Sequence, residues 1–184
     1  MACNSSEPET KAVTAQKEKV QEISTASVKG VETPKSIKKE LARLLPELKS
    51  SDGLTVHKEV AVPYIQQIKM LANRYPKDVE VPKLLSTAAE LCRGIDEVNE
   101  ALALYGQVYS SYPNHPLAPP ALFIQGFILE TELDQKEKAK ENYQNFLKRF
   151  PDHEFVEIVQ SNLASIDKSP DELMKAFKAK NKLQ

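Results

Sequence analysis

Three times in this chain an apolar-periodic run ends on an aromatic residue followed by proline: Tyr75-Pro76, Tyr112-Pro113 and Phe150-Pro151. The prolines lie 37 and 38 residues apart. Proline lacks a backbone N–H and crowds the turn before it, so a helix cannot run through any of these sites. The register upstream is also shared. Five residues before each proline stand Leu71, Val108 and Phe146, and eight before stand Ile68, Tyr105 and Tyr143. Twelve before stand Tyr64, Ala101 and Ala139, so only the first unit departs from a small residue there. A small residue followed by large ones four and seven positions later makes one buried stripe of a helix. Self-similarity at a period of 20–50 residues marks a repeat array. A single helical hairpin of this length cannot bury its apolar face, and stacked neighbours close the core.

Composition agrees with helices. Glycine is scarce, with 5 in 184 residues, and no tryptophan is present. Leu, Ala, Lys, Glu and Gln dominate, and all favour helix. No run alternates long enough to read as a strand, so the expected fold is all-α. The formal net charge of -1 provides no global field for nucleic acid or an anionic membrane. No run reaches the ~20 apolar residues needed to span a bilayer. Two cysteines, Cys3 and Cys92, are too few for a disulfide scaffold, and no bridge is expected.

The start of the chain has a different character. "MACNSSEPETK" has neither a basic start nor an apolar stretch, so it is not itself a signal peptide. Ala2-Cys3 followed by a polar, acidic tether resembles the mature start of a bacterial lipoprotein, with Cys3 as the lipidated residue and an apolar leader encoded upstream. The alternative is an exposed thiol. Residues 1–33 read as a tether, with transient helix between Ala12 and Ser27, because balanced Lys and Glu leave too little apolar area to offset chain entropy. From Thr33-Pro34 a helix begins, and Ile37, Leu41, Leu44 and Leu48 share one of its faces. "SSDG" at 50–53 punctuates it. Near the end, Ser169 and Glu172 form a capping box around Pro170.

These residues resemble the tetratricopeptide repeat, a 34-residue helix–turn–helix unit. The best unit is 82–115: Leu85 takes the large fourth position, Ala88 and Ala89 the small seventh and eighth, and Cys92 the usually aromatic eleventh. Ala101, Tyr105, Val108 and Pro113 complete it. The next unit, 119–153, supplies Leu122, Gly126, Leu129, Ala139, Tyr143, Phe146 and Pro151, with one extra residue in the turn "ELDQKEK". A degenerate first unit covers 36–78, with its first helix at 36–49. The helices of 154–180 are expected to cap the array, using Phe155, Val159, Leu163 and Ile166, then Leu173 and Phe177. The resemblance implies a right-handed α-solenoid of helical hairpins over 34–180, and the "YP(D/N)" endings look most like bacterial envelope proteins of this class.

The same resemblance implies where a partner would bind. The first helix of each unit lines a concave groove through positions carried over as Lys83, Ser86, Glu90 and Arg93, then Pro120, Phe123, Phe127 and Glu130. Phe123 and Phe127 lie four apart on one face. Either they pack against the neighbouring hairpin or they form an aromatic patch for a peptide. Ser86 and Glu90 stand where a carboxylate clamp would need Lys and Asn, so C-terminal-peptide capture is not expected. His115 and His153 occupy equivalent turn positions and lack a third ligand for a metal. Cys92 on an apolar face reads as a small buried hydrophobe. No phosphate loop, GxSxG or HExxH occurs, and the basic "IKKELAR" has no interleaved aromatics for nucleic acid.

The expected function is therefore a non-catalytic scaffold that binds a protein or peptide, with no cofactor, no metal and no nucleic acid. Membrane contact would come through a lipid on Cys3 alone. The expected location is the periplasm or outer membrane, with the cytoplasm as alternative. Two other readings stay open: an enzyme using Cys92, His115 or His153, and a self-associating structural protein.

Overall fold

The computed structural model describes residues 32–50 and 55–181. The tether, Cys3 and most of the "SSDG" punctuation lie outside the described residues. Within them, eight α-helices follow one another: α1 (Pro34–Leu44), α2 (Lys58–Arg74), α3 (Val81–Gly94), α4 (Val98–Ser111), α5 (Ala118–Thr131), α6 (Lys136–Arg149), α7 (Val156–Ser165) and α8 (Pro170–Asn181). Each helix from α1 to α6 packs on the next, as a helical repeat solenoid requires. No strand occurs among the described residues. A single β-bridge pairs Lys49 with Val56.

The buried stripes explain the pairing. Ala101 and Ala139 are fully buried, and so are Val108, Tyr143 and Phe146, with Tyr105 almost so. The small residue lets a partner helix approach, and the larger ones fill the space beyond it. Helix α5 is apolar on both sides because it is shared. Ala121 and Ile128 join the core built by α1–α4, whereas Leu122 and Leu129 join the core built with α6 and α7.

The shared endings are one structure used three times. The capping residues Tyr75, Tyr112 and Phe150 have φ/ψ of -132/59, -127/55 and -131/57. Each donates its N–H to the carbonyl four residues back, and each carbonyl then accepts from the residue three ahead. That last residue, Asp78, His115 or His153, holds the start of the next helix. Asp78 Oδ1 accepts the Glu80 N–H at 3.0 Å, while His115 Nδ1 and His153 Nδ1 accept from Leu117 and Phe155 at 3.2 and 3.1 Å. The two histidines are turn residues, as their spacing implies. The turns within hairpins also correspond: Asp96 and Asp134 take φ of 64° and 49°. The closing bonds run from Glu97 N–H to the Cys92 carbonyl and from Gln135 N–H to the Leu129 carbonyl. The second spans one residue more, which is the extra residue in "ELDQKEK".

Two expectations need correction. The helix expected over 36–49 ends at Leu44, and residues 45–47 tighten into a 3₁₀ turn. Pro46 cannot donate to the carbonyl four residues back, so the α-ladder stops, although Leu48 still reaches the core at 4% exposure. Thr33 and Ser36 form the reciprocal cap at its start. At the other end, only α7 covers the array, through buried Val159 and Ile166. Helix α8 starts on the expected Ser169–Glu172 capping box, but Leu173 and Phe177 remain 42% and 64% exposed. It does not share the covering role expected of it.

Candidate partner-binding surface

Helices α3 and α5 are the first helices of the two regular hairpins, and they carry the residues expected to line a groove. On α3, Lys83 and Glu90 are exposed. Ser86 is half-buried and its hydroxyl donates to the Pro82 carbonyl at 3.1 Å, so it is turned back onto its own helix. Arg93 is half-buried, and its Nε donates to Glu132 Oε1 at 3.0 Å, tying the end of α3 to the end of α5. That carboxylate raises the basicity of the guanidinium.

On α5 the phenylalanine pair divides. Phe123 packs inward: its ring centroid lies 5.2 Å from Phe155 and 6.4 Å from Tyr143. Phe127, one turn on, is 39% exposed. Pro120 sits half-buried in the first turn of the helix, where its missing N–H costs nothing. Glu130 is half-buried and accepts the Tyr143 hydroxyl at 2.7 Å, and the same hydroxyl accepts from Asn162 Nδ2 at 3.2 Å. This chain joins α5, α6 and α7. Burial, then the Glu130 bond, pushes the Tyr143 phenol well above its ordinary range.

The equivalent Tyr105 has no such partners, and its buried hydroxyl makes no hydrogen bond. The reason is residue identity at two places. Where α5 has Glu130, α3 has Arg93, and Arg93 is drawn to Glu132. Where α7 has Asn162, α5 has Gln125, whose amide donates to the Leu102 carbonyl at 2.9 Å and accepts from Asn142. Burial, with Glu90 adding to it and Arg93 opposing, pushes the Tyr105 phenol up to about 12. Sequence reasoning missed Glu132 and Asn162. Glu132 lies one residue beyond its helix, and Asn162 interrupts an apolar stripe, which is the signal a buried polar contact leaves.

The reactive candidates are committed elsewhere. Cys92 is 1% exposed in the first core. Burial is the main reason its thiol is pushed up to about 11, with Glu100 contributing next. Both histidines use Nδ1 in turns, as above. Among the described residues no group of three or more His, Cys, Asp or Glu could hold a metal ion, and no helix is long and apolar enough to cross a membrane.

The Cys92 thiol has a measurable consequence. Its folded value lies above the unfolded value of about 8.5, so folding favours the protonated form. The contribution is complete below about pH 8.5 and is lost as pH climbs toward about 11. In a Cys3→Ala background, a thiol reagent at pH 8 should label Cys92 only at the rate of unfolding. Denaturation midpoints should fall above pH 9, and less so in Cys92→Ala. Rapid labelling of the native chain would contradict the burial.

Comparison with known families identifies one segment: residues 120–153 match the tetratricopeptide repeat. The match coincides with the second regular hairpin, α5–α6, and its closing turn. No curated protein matches the chain.

Proposed function

We propose that this chain is a non-catalytic scaffold binding a protein or peptide on the concave face lined by α3 and α5, because residues 120–153 match the tetratricopeptide repeat, a class that generally mediates protein–protein interaction. The observation that carries this reading is the division of the phenylalanine pair. Phe123 is held in place by Phe155 and Tyr143, and Phe127 is left 39% exposed on the same helix. An aromatic ring on a rigid helix loses little entropy on binding, and such anchors often dominate interface energy. Lys83 and Glu90 on α3 provide exposed charge of both signs for a polar rim. Arg93 and Glu130 act mainly as struts, since Glu132 and Tyr143 already engage them.

The burial of Cys92 and the use of both histidines in turns support a non-catalytic role. The reading is tested by recovering partners from a cell extract with the parent and with Phe127→Ala, at matched melting midpoints. Loss of a specific partner from the variant is expected, on the order of tenfold in affinity for a hot-spot aromatic. Identical recovery would remove Phe127 from the binding face.

We also propose a location in the bacterial envelope, on the periplasmic side or at the outer membrane. This rests on the Ala2-Cys3 start, outside the described residues. Labelled palmitate should enter the parent chain and not Cys3→Ala. A parent chain without label would favour the cytoplasm.

A further inference from the structure

Helix α8 occupies the place of the second helix of a fourth hairpin and does not close one. Its connection to α7, residues 166–169, is as long as the 132–135 connection of the closed α5–α6 hairpin, so tether length is not the obstacle. The crossing residues are. In α4 and α6 the fourth helical residue is Ala101 or Ala139, and both are fully buried. In α8 that place holds Leu173. The facing small position, Ala89 in α3 and Gly126 in α5, becomes Leu163 in α7, 37 residues after Gly126. A leucine at each of these positions would overpack a crossing of the kind that Ala101 and Ala139 make. The third member of the stripe, Val108 or Phe146 in the closed hairpins, is Lys180 in α8. So α8 keeps the periodicity of a packed helix without the means to pack.

What remains is an exposed apolar strip beside a lysine-rich one. Leu173, Met174 and Phe177 are 42%, 55% and 64% exposed, and at 100° per residue they fall within one arc of about 100°. Lys175 and Lys178 are exposed on the flanks of that arc or behind it. From 175 to 182, "KAFKAKNK" contains four lysines and no acidic residue. Asp171 and Glu172 occupy the first turn of α8, so the positive charge is confined to its later turns, which hold Lys175, Lys178 and Lys180 and no acidic residue.

We propose that α8 docks on an anionic lipid surface, lying in the interfacial plane with Leu173, Met174 and Phe177 inserted and its lysines at the headgroups. A bilayer interface fits better than a protein groove for two reasons. The apolar arc is narrow and suits shallow insertion, and the basic flank complements a surface that is negative throughout. The helix is too short to span, about 18 Å at 1.5 Å per residue. Attachment by α8 alone is weak and salt-dependent, which makes it a second contact rather than an anchor.

The test is co-sedimentation of the full chain with vesicles of phosphatidylcholine containing about 30% phosphatidylserine, against phosphatidylcholine alone. Binding to the anionic vesicles is expected, falling steeply between about 0.05 and 0.5 M salt. Lys175→Glu/Lys178→Glu and Leu173→Ser/Phe177→Ser should each reduce it by about tenfold or more. Because α8 stands apart from the packed core, both variants should keep the parent's melting midpoint. Equal sedimentation with and without phosphatidylserine would overturn the proposal, and so would variants that bind like the parent. Concentration-dependent dimers abolished by Phe177→Ser, with no vesicle binding, would overturn it in favour of a second copy as occupant.

Discussion

Phe146→Ala is expected to lower stability by about 3–5 kcal/mol, because the ring is fully buried at the centre of the second core. Its neighbours are specific: the ring centroid lies 5.5 Å from Phe150 and 5.8 Å from His153. Its carbonyl also takes the capping N–H of Phe150, so the residue sits where the stripe and the turn meet. A domain's whole stability is about 5–15 kcal/mol, so the variant should remain folded only in the cold or with little margin. The loss should be uneven along the chain. In a solenoid each unit depends on its neighbours, and the two cores share only α5 and a few partly buried residues such as Leu102 and Tyr109. Hydrogen exchange should accelerate first in α6 and α7 and last in α2 and α3. Uniform acceleration would mean that the array unfolds as one unit.

Gly126→Val is expected to cost about 3 kcal/mol, at the upper end of the overpacking range. A Cβ at Gly126 would lie 2.6 Å from Tyr143 Cε1 and 2.9 Å from Asn142 Oδ1. Neither neighbour can retreat cheaply. The Tyr143 hydroxyl is held by Glu130 and Asn162, and Asn142 is bonded to Gln125. In an exposed helix, replacing glycine with a residue that has a side chain would gain some helix propensity, so the sign of the effect reports the crossing itself. The counterpart Ala89 is fully buried but accommodates its methyl group. Ala89→Gly should cost only about 1–2 kcal/mol, from lost burial and added backbone freedom. Thermal melts of the two variants check the contrast. An unchanged midpoint for Gly126→Val would show that α5 and α6 do not approach this closely.

Much of the fold was legible because the constraints are local and repeated. The aromatic-proline endings, the stripe of Ala101, Tyr105 and Val108, and its copy at Ala139, Tyr143 and Phe146 each depend on helical period and on proline's missing N–H. Those act on any chain of this sequence, whatever surrounds it. The early stop of α1 departs from the helix expected over 36–49, although its cause, Pro46, is local. The outer helices proved harder. Leu173 and Phe177 have the spacing of a buried pair, and spacing alone cannot say whether a partner surface will admit them.

The candidate site shows the same boundary. Periodicity placed Phe123 and Phe127 on one face and left open whether that face was core or groove. The answer came from Phe155 and Tyr143, distant in sequence, which cover Phe123 and stop short of Phe127. Arg93 occupies a position expected to line the groove, and its pairing with Glu132 depends on two helix ends meeting 39 residues apart. Period, capping and chain-breaking residues are properties of neighbours along the chain, so the sequence by itself determined the helices, their register and their turns. Which side chains are covered, paired or left exposed depends on what the next helix brings within a few ångströms, and only the tertiary structure decided that.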